Sequence, residues 1–480
     1  MAQPAFLASP YNFRIPLPDA ELVYSSYSGA VISLAGEDAP AIAQALSGGV
    51  RPVSLRDFPE SLVEQLHEGG FVTPDPGEQL KIIQSRFRAA RSGYPVVLTL
   101  TTTMDCNLGC YYCYEERSSD RLDKVDLPAV LTYARDRLTG RKGGRLHVDW
   151  YGGEPLLNCE FLETASAALQ DLCRTLSVPY SASLISNGTC WPEDVGSFVK
   201  RNSIRQVQIS FDGMRENHNR RRRYRTADDQ NRRSSFDEAV RVVSELLDFA
   251  KVDVRFNIDA RNAADLLPFI RFAREQGWFE RKYPAVFQPA RLASYTEHSS
   301  FMRKAELTIA QYDELRALAR SELRQGLVEE SESPDGFPLP KTSVCCALSA
   351  DSVVVGADGG KYRCGLQVSE PGSAVGSLRS ASAPFRILNN PSESRHSANE
   401  QWWQAFDPTE APRCSKCSFL PICWGGCPKK HFDGDTHALR EQGTYWRRNL
   451  ARLVTANLGI QLSSVTHFEE RDQFRETVPA

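Results

Sequence analysis

Apolar residues along this chain fall into three regimes. Between about residues 91 and 325, short β-branched runs alternate with longer stretches in which apolar positions recur at helical spacing. The runs are Pro95–Thr102, His147–Tyr151, Ser181–Ile185, Gln206–Ser210, Asp253–Asn257 and Ala285–Phe287. Six strands alternating with helices predict an α/β architecture around a parallel sheet. Residues 1 to about 90 read as a separate small α+β module. Phe13–Leu17 and Leu22–Leu34 predict a short sheet with a Ser-Gly turn. Ala39–Leu46 predicts a helix stopped by Gly48-Gly49, and Leu62–Val72 a second helix, a glycine stop and a short strand. From residue 326 to 342 Glu, Ser, Pro and Gly predominate, which predicts a linker. A cysteine-rich domain over 343–445 follows, then a helix and tail over 446–480.

The 480 residues allow roughly three domains at ~150 residues each. Lys and Arg number 57 against 60 Asp and Glu, a net charge of −3 that argues against a general nucleic-acid binder. No apolar run approaches the ~20 residues that span a bilayer, and the start Met-Ala-Gln-Pro-Ala-Phe lacks a secretory signal. The expectation is a soluble, cytoplasmic chain with no membrane partner. In that compartment the 13 cysteines read as metal ligands and reduced thiols rather than disulfides. Cys159, Cys173 and Cys190 lie outside any ligand spacing and read as ordinary thiols.

The chemistry concentrates in two cysteine fields. Cys106, Cys110 and Cys113 stand at C-x3-C-x2-C spacing just after the first strand. Three thiols on one short loop can hold three corners of a cubane iron–sulfur cluster and leave the fourth iron open. A cluster that only carries electrons normally has four cysteines, so an open iron points to a small molecule binding there. A zinc loop is the alternative, and four ligands would be expected for it.

This triplet, with Tyr112 just before its third cysteine, resembles the signature of the radical S-adenosylmethionine (radical SAM) superfamily. The resemblance implies a partial (β/α)6 barrel whose open iron is chelated by the methionine part of S-adenosylmethionine. One electron, from a donor such as flavodoxin or ferredoxin, then cleaves SAM to a 5′-deoxyadenosyl radical. Sites in parallel barrels lie at the C-terminal ends of strands, and the informative residues fall there. Gly152-Gly153-Glu154 follows the second strand, and the resemblance implies that it holds the SAM amino group. Ser186-Asn187 ends the third strand, and Ser210 and Asp212 the fourth; their short polar groups suit ribose hydroxyls. Singly, each is more often a turn. Ser210 to His218 also resembles the S-x-D-G-x(4)-H segment of peptide- and protein-modifying members, with Asn219 where those members commonly have Asp. The basic run Arg220–Arg225 that follows reads as a solvated loop, with docking of an acidic peptide tract as the alternative.

The second field holds Cys345, Cys346, Cys364, Cys414, Cys417, Cys423 and Cys427. The last four alone would read as a zinc ribbon. The whole set resembles the SPASM domain, an auxiliary iron–sulfur module of maturases. That resemblance implies one cluster on Cys345 and/or Cys346 with Cys364 and Cys427, and another on Cys414, Cys417 and Cys423. With the first field this makes three [4Fe-4S] clusters. The usual downstream cysteine is absent, so either His431, Asp433, Asp435 or His437 closes the last cluster, or its iron stays open. The N-terminal module is similar to the small winged-helix modules that bind leader peptides; a decorating cap is the alternative. Together these resemblances imply a maturase that takes hydrogen from a residue of a precursor peptide or protein and installs a carbon–carbon, thioether or ether cross-link. Oxidation of a sulfatase residue to formylglycine is the enzymatic alternative. A non-catalytic iron–sulfur or zinc-binding protein is the alternative from another class.

Overall fold

In the computed structural model the described residues are 6–37, 39–47, 60–93, 95–140, 144–294, 300–324, 336–379, 391–460 and 468. They form two compact units. One comprises residues 95–327 and 350–404; the other gathers residues 1–94, 328–349 and 405–480.

The N-terminal part of the second unit contains β1 (Leu7–Ala8), β2 (Asn12–Pro16), β3 (Glu21–Ser25), β4 (Val31–Leu34) and β5 (Val72–Thr73). β2, β3 and β4 form an antiparallel meander, and β1 pairs with β5. Helices Ala39–Ser47 and Glu60–Glu68 stand where the apolar periodicity puts them. Gly70, at φ +74°, turns the chain after the second helix into β5. The C-terminal residues of this unit complete its core: Phe13, Ile15, Leu22 and Tyr24 pack with Phe419, Ile422, Leu450 and Val454. Of the expected linker, residues 325–335 lie outside the described residues. Within the described part, the Pro338 carbonyl accepts from the Tyr24 hydroxyl and Lys341 N–H donates to Pro421 O at 2.9 Å. These bonds hold the segment against the core of its unit.

The other unit is built on β6 (Val96–Thr101), β7 (Leu146–Tyr151), β8 (Tyr180–Ser186), β9 (Ile204–Phe211), β10 (Lys251–Ile258) and β11 (Val286–Arg291). Each pairs in parallel with the next, in sequence order, which is the arrangement the strand–helix alternation predicts. Three further strands, β12 (Ser352–Val355), β13 (Gly360–Tyr362) and β14 (Gly376–Ser377), extend the sheet. β12 joins the free edge of β6 in parallel and β13 and β14 follow antiparallel, making nine strands. The region expected as one cysteine-rich domain, 343–445, is thus divided. Residues 350–404, with Cys364, continue the parallel sheet, whereas Cys345, Cys346 and Cys414–Cys427 belong to the other unit.

Helices cover the sheet with strongly one-sided faces. Phe236, Val242, Val243 and Leu246 of Ser235–Leu246 and Leu266, Phe269, Ile270 and Ala273 of Leu266–Glu275 are all buried against it. Each fully buried large side chain of this kind contributes about 1.5–3 kcal/mol. Trp150, Phe211, Phe256 and Trp278 are among them. That stiff platform sets the positions of the strand ends.

Candidate functional site

Four strand ends converge on the loop that carries Cys106, Cys110 and Cys113. Gly153 N–H donates to Thr103 O at 3.0 Å and Glu154 N–H to Asp105 O at 2.9 Å, so the segment after β7 runs alongside the cysteine loop. The two glycines are required by that contact. A Cβ on Gly152 would lie 2.3 Å from Thr103 O, and one on Gly153 2.4 Å from Asp105 O. Gly152 also sits at φ +136°, where side chains are disfavoured. The neighbour this glycine pair makes room for is the cysteine loop.

Glu154 is fully buried and already engaged. Its carboxylate accepts from Asn187 N–H (2.7 Å), Leu156 N–H (3.2 Å) and Ser186 Oγ (3.0 Å). It therefore ties the end of β7 to the end of β8. Burial pushes its pKa up to about 7 even though these donors oppose the shift. Asn187 extends the tie: Nδ2 donates to Asn107 Oδ1 at 2.8 Å and lies 3.7 Å from Cys106 Sγ. Ser186, Asn187 and Asp212, read from sequence as ribose contacts, thus spend their polar atoms inside the protein. Among the described residues the Ser210 hydroxyl has no hydrogen-bond partner.

Below the loop lies a buried ionic network that sequence reasoning missed. Tyr112 Oη donates to Asp212 Oδ1 at 2.7 Å and Tyr111 Oη to Asp259 Oδ2 at 2.8 Å. Arg221 bridges the two carboxylates through Nε to Asp212 (3.1 Å) and Nη1 and Nη2 to Asp259 (3.2 and 3.1 Å). Arg222 donates to Tyr112 Oη at 2.6 Å, and Asn257 Nδ2 lies 3.3 Å from Asp212 Oδ1. Arg221 and Arg222 are only 3% and 7% exposed, which corrects the reading of their run as a solvated loop. The run is split by its place at the end of helix Arg215–Arg221: 221 and 222 turn inward, 220, 223 and 225 outward. A charge run alone cannot reveal this; the signal was Asp259, just past the end of β10, as a buried counterion. His218 packs between Phe211 and Phe236, and among the described residues neither ring nitrogen is hydrogen-bonded. Burial first, then the Arg222 and Arg221 charges, hold it well below the usual histidine pKa and therefore neutral. Asn219 holds the start of helix Ser235–Leu246, its Oδ1 accepting from Phe236 N–H at 2.9 Å. Cys159 and Cys190 are half-buried and Cys173 buried, as ordinary thiols are.

The three loop thiols suit a cluster. All are half-buried; desolvation pushes Cys113 up to about 12 and also raises Cys106 and Cys110, with neighbouring thiols adding to the rise at Cys106 and Cys113. A bound metal reverses that penalty, since coordination holds thiols deprotonated. Beside Cys110, Tyr111 and Cys113 opens a cavity of about 740 Å³. Among the described residues no three His, Cys, Asp or Glu side chains close into a single-ion ligand group.

The second field is held differently. Trp424 (φ +49°), Gly425 (+75°) and Gly426 (+79°) reverse the chain between Cys423 and Cys427. Cys414 is pushed up to about 12 by burial and then by Cys417 and Cys423, so these thiols sense one another. Cys345 is lowered to about 6, chiefly by a hydrogen bond from Cys346. Of the candidates to close the last cluster, Asp433 pairs with Lys429 (2.7 Å), and Asp435 caps Ala438 N–H and pairs with Lys430 (both 3.0 Å). His431 Nε2 lies 2.8 Å from Gly425 O.

Residues 100–272 match the model of the Radical SAM superfamily, so this segment is a radical SAM domain. Among curated proteins, GTP 3′,8-cyclase of Synechococcus sp. (strain CC9605) is 30% identical over 131 residues, 26% of this chain and 36% of that protein. A probable GTP 3′,8-cyclase of Methanocella arvoryzae is 29% identical over 117 residues, 24% of this chain and 34% of that protein. The chain spans about a third of the length of these curated relatives. Among solved structures, anSMEcpe with bound AdoMet matches with a TM-score of 0.53 at 19% identity, covering 77% of this chain and 96% of that one. At that identity the likeness is one of fold. Streptococcus suis SuiB bound to precursor peptide SuiA gives a TM-score of 0.47 at 13% identity, over 88% of this chain and 95% of that one. No helix among the described residues is long and apolar enough to cross a membrane.

Proposed function

We propose that this chain, whose residues 100–272 are a radical SAM domain, is a SAM-dependent maturase that modifies a side chain of a peptide or protein, most simply by installing a cross-link. The observation that carries the reading is the C-x3-C-x2-C loop clamped by Gly153, Glu154 and Asn187 at the strand ends, open to a cavity of about 740 Å³. When bound, a four-iron cluster and SAM supply a 5′-deoxyadenosyl radical able to take hydrogen from an unactivated carbon.

The chain's own residues position and insulate that chemistry. Cys106, Cys110 and Cys113 hold the cluster; Asn187 donates toward the Cys106 sulfur, a contact of the type that tunes cluster potential. Glu154 orients the loop through its hydrogen bonds and would hold the SAM ammonium. Ser210, unpartnered among the described residues, is the contact left for a ribose hydroxyl. Tyr112, locked by Asp212 and Arg222, forms a fixed wall. The second field carries two auxiliary clusters in this reading: Cys345 or Cys346 with Cys364 and Cys427, and Cys414 with Cys417 and Cys423. Clusters held there would supply an acceptor for the surplus electron from the substrate. A cluster held by Cys106, Cys110 and Cys113 would take its electron from an external one-electron donor. Residues 1–90 take the leader of a precursor peptide.

The test is anaerobic reconstitution with iron and sulfide, giving about twelve irons per chain if all three clusters are of the four-iron type. With SAM and a one-electron reductant, the protein forms 5′-deoxyadenosine. A perdeuterated substrate peptide transfers deuterium into it. A peptide product lighter by two hydrogens and inert to hydrazides indicates a cross-link, whereas a hydrazide-reactive aldehyde indicates formylglycine. Stoichiometric zinc with little iron overturns the reading.

A further inference from the structure

The cavity beside Cys110 and Cys113 has a rim of three exposed arginines that the reading above leaves without a task. Arg117, on the segment after the third cysteine, and Arg220 and Arg223, at the end of helix Arg215–Arg221 and just beyond it, converge on it from parts of the chain a hundred residues apart. The Arg117 and Arg223 guanidinium groups form no hydrogen bond or ion pair among the described residues, although the Arg117 charge favours ionisation of Glu115; the Arg223 carbonyl accepts from Gly109 N–H at 2.7 Å, and Arg220 bonds the Asn217 carboxamide. Their neighbours behave otherwise: Arg221 and Arg222 are buried on Asp212 and Asp259, and Arg225 pairs with Asp105 at 2.6 Å. Two carboxylates also line the cavity. Glu115 is buried and held by the Tyr151 and Tyr114 hydroxyls, and Glu116 is exposed. Three exposed guanidinium groups against one exposed carboxylate leave the mouth positive, although the chain as a whole carries −3. A guanidinium stays charged at every working pH, and its planar fork matches a carboxylate. A concave wall concentrates that field.

We propose that this rim selects peptides with Asp or Glu side chains close to the position being modified. The inference rests on the reading that the cavity receives a peptide. The carboxylate it binds has two sources, substrate side chains or the methionine end of SAM, and the test separates them.

The probes are a fluorescein-labelled peptide of four Gly-Glu repeats and its Gly-Gln counterpart, titrated by anisotropy against the anaerobically reconstituted protein. Three exposed charge pairs predict roughly tenfold tighter binding of the Glu peptide at low salt. That preference shrinks toward unity at about 0.5 M salt. In Arg117→Gln/Arg223→Gln the preference falls to within about threefold, and Arg117→Lys/Arg223→Lys, which keeps the charges, recovers most of it. Iron content and melting midpoint report whether each variant is folded. Equal binding of the two peptides by the unaltered protein overturns the proposal. So does an undiminished preference in the Gln variant, or a loss of SAM affinity there with the peptide preference intact, which assigns the rim to the cofactor. A single-stranded oligonucleotide of equal charge binding as tightly as the Glu peptide also overturns it, since the rim would then be a surface for any polyanion. If the protein forms 5′-deoxyadenosine yet does not discriminate between the peptides, only this inference falls; if it forms none, the functional reading itself falls.

Discussion

The two cysteine fields are built on opposite principles. The first rests on a parallel sheet: its loop starts from β6 and is clamped by backbone bonds from the end of β7 and by Glu154 and Asn187 at the ends of β7 and β8. Its geometry is set by strand register before any metal arrives. The second, from Cys414 to Cys427, contains no strand of its own among the described residues. It turns through Trp424, Gly425 and Gly426 in left-handed conformations and leans on one apolar cluster shared with the N-terminal meander. There the metal itself is expected to act as the staple. A metal on a rigid platform can be exchanged for chemistry, whereas a metal that closes loops is part of the fold.

The largest expected effect breaks that contrast directly. Replacing Cys414, Cys417 and Cys423 with Ala should destabilise the reconstituted protein by about 5 kcal/mol, lowering its melting midpoint by roughly 10–20 °C. The same change at Cys106, Cys110 and Cys113 should remove about four irons and leave the midpoint nearly unchanged. Equal losses of stability at both fields would erase the distinction.

Next in size is Arg221→Met. It leaves Asp212 and Asp259 buried with one fewer counterion beneath the first field, at a cost of about 3–5 kcal/mol in denaturant unfolding. Adding Asp259→Asn should recover part of that loss. If the single variant is no less stable, the network does not support the loop as described. A finer probe is Gly153→Ala, whose Cβ would meet Asp105 O at 2.4 Å. The cysteine loop must shift, which should cost about 1–3 kcal/mol and lower SAM affinity, with second-field iron retained.

How much of this was legible in sequence depends on whether a residue's partner lies close by in the chain. The six parallel strands were readable because buried strands are continuous apolar runs bounded by turns, and the three cysteines because their spacing is local. Glu154 and Asn187 were readable as positions. Their bond to each other was not, because it joins the ends of two strands 33 residues apart. Arg221 and Arg222 were misread for the same reason: their counterions sit at the ends of β9 and β10, and nothing in the run itself distinguishes an inward arginine from an outward one. Likewise, the strands β12–β14 are too short for periodicity to reveal that they extend the edge of β6.

The smallest effect concerns that edge. Asp126 is buried, which opposes its ionisation, yet bonds from Arg379 (2.8 and 3.0 Å) and Asp123 N–H (2.9 Å) hold its pKa below the usual carboxylate value. A lowered folded pKa contributes stability above the unfolded value, near 4, and loses it as pH falls through the folded value. Asp126→Asn should therefore cost about 1–2 kcal/mol at pH 7 and progressively less below pH ~4, read as the pH dependence of the unfolding midpoint. A cost unchanged across that range would mean the Arg379 tether is not ionic.

The claim that all of this serves is that Cys106, Cys110 and Cys113 hold a cluster with one iron open to SAM. The direct measurement is electron paramagnetic resonance of the reduced protein carrying Cys414→Ala, Cys417→Ala, Cys423→Ala and Cys364→Ala, so that only the first cluster contributes signal. Adding SAM should shift that signal, and SAM labelled with nitrogen-15 at its amino group should show hyperfine coupling to the cluster. A reduced signal that ignores SAM, with no coupling to its amino nitrogen, would contradict the account.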